Sequence, residues 1–214
     1  MNSEMIATLY SFLYICSVIG VGFLLKKFTK IGPEGVRKFI HILVSGWVFI
    51  LVYCYHELKY ALIGPIAFII INAIFVYSGL GRYLGMGNRK RDNGLIYYPL
   101  SLLFMTIMYY HGYLPDYGMI APTLIMGFGD GLAALVGTKI GKHPYKGTGG
   151  AKSIEGSLTM FIVSAAVLLI FTPCAWYISL TLALGATVFE MSTPLGFDNI
   201  SVPMITAILL GAMA

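Results

Sequence analysis

The sequence predicts an all-α polytopic integral membrane protein, on three observations. The first is composition: of 214 residues, 58% are hydrophobic and 11% charged, and mean hydropathy is +0.83. A water-soluble domain carries roughly 25% charged residues, so a soluble globular enzyme is excluded. The second is arrangement, because the apolar residues gather into seven runs and a shorter eighth, on the scale of the roughly 20 residues that carry a helix across a bilayer. The third is charge, with thirteen of the fourteen Lys and Arg residues confined to alternate loops. About seven transmembrane helices and a marginal eighth leave almost nothing for an extramembrane domain, so 1–214 is read as one transmembrane domain.

The first run, 5–25, is followed by Lys26 and Lys27 instead of being preceded by basic residues. That order is the reverse of a signal peptide, and the run is read as a retained helix. Further runs lie at 39–55, 60–78, 95–111, 117–136, 157–171 and 176–189, with the marginal one starting at 200. The first, third and fifth connections carry Lys26, Lys27, Lys30, Arg37 and Lys38, then Arg82, Arg89, Lys90 and Arg91, then Lys139, Lys142, Lys146 and Lys152. The positive-inside rule puts these loops in the cytoplasm and the N-terminus outside. The net charge of +5 is therefore assigned to topology and lipid headgroups, not to nucleic acid. Cys16, Cys54 and Cys174 have no CxxC spacing and read as small core residues with neither disulfide nor metal. Asn72 reads as an interhelical hydrogen bond, and His56, His111 and His143 have no ligand-like spacing.

Candidate chemistry begins with charge inside the apolar runs, because such residues cost several kcal/mol unless they face a partner or a polar cavity. Asp130 is the clearest, within Gly127-Phe128-Gly129-Asp130-Gly131. The glycines permit close helix packing, a helix break or close approach of a ligand. The fifth connection resembles a P-loop only in ending Lys152-Ser153, since Lys146 and Ala151 stand where that motif needs glycine. Its lysines, Lys142 among them, and its glycines still precede a helix start near Ser153, an arrangement that favours phosphate. At the start of the second run, helical spacing pairs Arg37 with His41 and Glu34 with Lys38. Near the C-terminus, Glu190 and Asp198 add two carboxylates to Asp130, an oxygen set suited to Mg²⁺ if the three converge.

These residues carry a resemblance. Glu34-x-x-Arg37-Lys38-x-x-His41, Gly129-Asp130-Gly131-x-Ala133-Ala134 followed by Lys152-Ser153-x-Glu155-Gly156-Ser157, and Asp198-Asn199-x-Ser201-Val202-Pro203 resemble the three motifs of the CTP-dependent membrane lipid kinases. That group contains dolichol kinase, phytol kinase and the CTP-using diacylglycerol kinase, and is related to the CDP-diacylglycerol synthases. The resemblance implies a helical membrane fold that binds CTP and a divalent metal on its cytoplasmic side. Asp130 and Asp198 then correspond to metal ligands, to which the carboxylate pattern adds Glu190. Lys152, Ser153 and Glu155 correspond to the nucleotide phosphate site, joined by Lys142, Gly129 and Gly131. Arg37, Lys38 and His41 correspond to phosphate-binding or substrate-orienting groups. Gly147-Thr148-Gly149-Gly150-Ala151 departs from the Asn-Pro-Lys type of approach found in relatives.

The expected activity is transfer of the γ-phosphoryl of CTP to a membrane-embedded lipid alcohol of polyprenol, dolichol or phytol type, with Asp130, His41 and Glu155 as candidate acceptors of the hydroxyl proton. Two alternatives stay open. One is a phosphatidate cytidylyltransferase, disfavoured because Asp198-Asn199-Ile200-Ser201 lacks the second carboxylate and the arginine of its Asp-Arg-x-Asp-Ser motif. The other is a small cation-coupled transporter using Asp130.

Overall fold

All eight apolar runs are helical in the computed structural model, which describes residues 2–78, 92–147, 150–194 and 196–214. Arg82, Arg89, Lys90 and Arg91 of the third connection, and Thr148, Gly149 and Leu195, lie outside the described residues. Helix α1 (Ser3–Phe28) starts on Asn2, whose side chain accepts from the Glu4 N–H, and ends at Lys26 and Lys27, cations suited to a helix C-terminus. Pro33 opens α2 (Pro33–Ser45), where its missing N–H costs nothing. At Gly46 the helix breaks before α3 (Trp47–Cys54), and the Tyr14 hydroxyl packs where a β-carbon would sit. Two further helices follow, α4 (Leu58–Ala61) and α5 (Ile63–Tyr77). Asn72 on α5 donates to the Leu95 carbonyl of α6 (Gly94–Tyr110) at 2.7 Å, the interhelical bond expected of it.

The chain then enters α7 (Asp116–Leu124), a π turn (Ile125–Gly129) and α8 (Asp130–Ile140). Pro122 and two glycines fall in or beside the π turn, which sets Asp130 at the first position of α8. This continuous segment, 116–140, is the axis of the molecule: 72% of its apolar window is buried, against 22% for α1 and 11% for 58–77. Helix α2 and the helix following the hairpin clasp it from two sides. The expectation that the fifth connection is a loop is corrected here, because β1 (Pro144–Gly147) pairs antiparallel with β2 (Gly150–Ser153), Tyr145 opposite Lys152. Three helices complete the chain: α9 (Ile154–Phe171), α10 (Trp176–Ser192) and α11 (Asp198–Ala212).

Among the described residues, five helices are long and apolar enough to cross a membrane: Ser3–Phe28, Pro33–Cys54, Leu58–Tyr77, Asp116–Ile140 and Ile154–Phe171. The chain is an all-α polytopic membrane protein, with one short hairpin on the side where the basic first and fifth connections lie.

The glycines around Asp130 are contacts. A β-carbon on Gly127 would meet Ser45, one on Gly131 would meet Ile42, and one on Gly129 would lie 2.7 Å from the Met160 sulfur. Gly129 and Gly131, expected near the nucleotide, thus give their open sides to α9 and α2. Gly131→Val is expected to cost about 1–3 kcal/mol through overpacking, seen as a lower unfolding midpoint in detergent; an unchanged midpoint would show that α2 can give way.

Candidate active site

Three carboxylates meet at one end of the bundle. Asp130 arrives on the first turn of α8, Glu190 on the last turn of α10 and Asp198 on the first turn of α11, with one oxygen of each within 4.8 Å of the others. Asp130 and Glu190 are buried, at 8% and 7% exposure, and Asp198 is half-buried. Carboxylates do not crowd in a low-dielectric interior without cations, and two lysines supply them. Lys38 Nζ lies 2.6 Å from Asp130 Oδ2, and Lys152 Nζ lies 2.6 Å from Glu190 Oε1 while also donating to the Glu190 carbonyl. Among the described residues no lysine or arginine pairs with Asp198, whose Oδ1 accepts from the Asn199 N–H at 3.0 Å. Among the described residues, two of the three carboxylates thus have a lysine partner.

The donor set fits a hard divalent cation. Oxygens bound to Mg²⁺ at about 2.0–2.1 Å lie at most about 4.2 Å apart, so small side-chain rotations would close this triad around an ion.

Local structure explains each lysine. On α2, residues three apart share a face, so Lys38 and His41 both turn toward α8. His41 Nε2 lies 3.1 Å from the Met126 carbonyl and 3.4 Å from Asp130 Oδ2. Both are acceptors, so Nε2 carries the proton and Nδ1 is the basic nitrogen. Glu34, expected opposite Lys38, is instead held by Arg37 at 2.5 Å, which leaves Lys38 to Asp130 and Arg37 at the rim. Lys152 reaches Glu190 from its position on β2, beside the start of α9.

The remaining expected residues sit to the side. Ser153 is the N-cap of α9, its Oγ accepting from the Gly156 N–H at 3.1 Å, and it packs against Gly137 and Gly141. Its O–H stays available to a phosphate oxygen. Glu155 faces the hairpin: its Oε1 is 2.7 Å from His143 Nδ1 and its Oε2 accepts from the His143 N–H. Lys142 is exposed beyond the end of α8.

An apolar cavity of about 430 Å³ leads from this cluster into the bundle between α1, α2–α3, α5 and α6. Lys38, His41, Asp130 and Asn199 line its polar end, and Ser11, Trp47 and Tyr55 its other end. Two of its lining residues were missed in the sequence. Tyr98 is 6% exposed and set edge-on to His41 at 4.6 Å between ring centroids, and among the described residues its hydroxyl has no partner. Asn199 donates to the Gly94 carbonyl at 3.3 Å, while its Oδ1 is buried without a partner among the described residues. A tyrosine near the start of an apolar run reads as an interface anchor, so nothing in the sequence set Tyr98 apart. Asn199 was visible only as a motif letter beside Asp198.

The fold thus brings together three carboxylates that fit a divalent metal, two lysines beside them and an apolar cavity that ends at Asp130. The chain is 29% identical over 216 aligned positions to the phytol kinase of Synechocystis sp., the alignment covering 93% of this chain and 88% of that protein. With the three motifs, that similarity supports membership of the chain in the CTP-dependent lipid kinase family, and hence a kinase. No family model matches the chain, and no solved structure matches it.

Proposed function

We propose that the protein transfers the γ-phosphoryl group of CTP to the hydroxyl of a membrane-embedded prenol, giving the prenyl monophosphate and CDP. The observation that carries this reading is the meeting of the Asp130, Glu190 and Asp198 carboxylates with Lys38 and Lys152 at the mouth of an apolar cavity. Phosphoryl transfer asks a protein chiefly for positioning and charge neutralisation, and needs no covalent nucleophile.

Each group then has a role. Asp130, Glu190 and Asp198 would hold Mg²⁺, which neutralises the phosphates when bound. Lys152 binds phosphate oxygens beside the Ser153 hydroxyl and the N-terminus of α9, and Lys38 neutralises charge developing on the transferred group. The prenol lies in the cavity with its hydroxyl at the polar end. A hydroxyl oxygen accepts as well as donates, so it satisfies the Tyr98 O–H while its own proton faces His41. His41 takes the hydroxyl proton through Nδ1. Glu155, occupied by His143, orders the hairpin and not the chemistry. The basic first and fifth connections beside the site support a cytoplasmic position for it.

The test is to incubate purified protein with Mg²⁺ and γ-labelled CTP or ATP, supplying prenol, diacylglycerol or phosphatidate separately. Label in prenyl monophosphate, with CTP as the better donor, is expected. Labelled pyrophosphate formed only with phosphatidate would make the protein a cytidylyltransferase instead. Cation-driven uptake into proteoliposomes without nucleotide turnover would make it a transporter.

A further inference from the structure

The cavity has a floor and an open side, and together they fix how a lipid tail can lie in it. The floor is Trp47, the first residue of α3, 4% exposed. Its indole N–H donates to Ser11 Oγ on α1 at 2.8 Å, and Ser11 is joined to the Tyr55 hydroxyl at 3.1 Å. On the other edge the ring packs on α5 at Gly64, where a β-carbon would lie 3.1 Å from Cζ2. The indole therefore bridges α1 and α5 across the far end, and the glycine opposite makes room for it.

Among the described residues, α1 and α5 share no extensive packing above that bridge. The two helices are linked through α4 at the far end and pack elsewhere, α1 on α2 and α3, and α5 on α6. Phe12, Cys16 and Phe23 on α1, with Ile63 and Ile71 on α5, line the cavity and are also exposed at the surface that faces lipid. The cavity is thus continuous with the apolar phase along one side.

We propose that a lipid alcohol occupies this cavity with its hydroxyl at the Lys38–Asp130 end and its tail turned outward, above Trp47, through the gap between α1 and α5 into the bilayer. The proposal rests on the lipid kinase reading and names its substrate as a single-chain alcohol whose tail is measured only over its first units. From Lys38 to Trp47 is nine residues, about 13 Å of helix. An extended carbon chain advances roughly 1.2 Å per bond, by the geometry that gives a peptide about 3.3–3.6 Å per three bonds, so about three isoprene units fill that depth. Shorter prenols underfill the cavity. Longer ones add carbons that lie in lipid and contribute equally to free and bound states, so they change nothing.

The experiment has two readouts. In liposomes with γ-labelled CTP, kcat/KM is expected to rise from geraniol to farnesol and then stay level through geranylgeraniol to a long polyprenol. Cys16→Trp, which narrows the gap, is expected to lower the ratio of long-polyprenol to geraniol turnover about tenfold. In a Cys54→Ser, Cys174→Ser background, prenol should slow alkylation of Cys16 by a membrane-soluble maleimide severalfold. A steep fall in rate beyond farnesol would overturn the sideways exit in favour of a closed gauge, and unprotected Cys16 would overturn occupation of the gap. Prenol that protects Cys16 yet is never phosphorylated would uphold the binding mode and overturn the kinase reading instead.

Discussion

Asp130→Asn is expected to lower phosphoryl transfer by roughly a thousandfold, the scale of losing a preorganised electrostatic group, with elution volume and helical circular dichroism unchanged. Asparagine has nearly the same shape, and its Oδ1 can still accept from Lys38, so the contacts of Gly127 with Ser45 and of Gly131 with Ile42 are kept. What disappears is the negative charge. Without it the triad keeps two carboxylates, one of them already compensated by Lys152, and the remaining set binds Mg²⁺ poorly. The measurement is turnover across a Mg²⁺ titration beside a thermal melt. Activity within a few fold of the parent would remove Asp130 from the metal site and leave it a buried partner of Lys38.

Lys38→Met is expected to lower two quantities, the Mg²⁺ requirement and the maximal rate. In the present arrangement the ammonium sits on one oxygen of a carboxylate that a metal would use, 2.6 Å from Asp130 Oδ2. Removing it frees that oxygen, so the Mg²⁺ concentration giving half-maximal rate should fall. The maximal rate should fall too, by about a hundredfold, because the charge that would pass from Asp130 to the transferred phosphoryl is gone. A raised Mg²⁺ requirement would show instead that Lys38 helps to organise the metal site. The side-chain stem lies along the cavity wall, and methionine keeps most of that packing.

The fold was legible because a bilayer imposes one rule on the whole chain. Every span must be apolar and helical, so the runs at 5–25 and 157–171 announce themselves. Breaks inside spans follow local packing and do not. Gly46 ends α2 against the Tyr14 hydroxyl, a contact between residues far apart in sequence, and the π turn before Asp130 depends on what Gly127 and Gly129 touch. The hairpin was hidden for another reason: its strands, Pro144–Gly147 and Gly150–Ser153, lack the alternating apolar residues by which strands are recognised.

At the site, residue types were readable and pairings were not. Helical spacing paired Glu34 with Lys38, and the fold gave it to Arg37 because α8 brings Asp130 to Lys38. The resemblance set Glu155 at the nucleotide phosphates, whereas the hairpin supplies His143 to it. The convergence of Asp130 with Glu190 and Asp198 spans most of three helices, a distance over which a single sequence carries no geometric information.

The two buried lysine–carboxylate pairs share a direction along the chain. Lys38 precedes Asp130, and Lys152 precedes Glu190. During synthesis each cation is therefore in place before its carboxylate leaves the ribosome, since chains are made from the N-terminus. An unpartnered aspartate at the centre of a span costs about 2.5–3.5 kcal/mol on insertion, and here a counter-ion already waits in the earlier helix. The ion pairs that hold the site at rest also give the growing polypeptide an order of assembly, in which α2 recruits the central segment and the hairpin then receives α10.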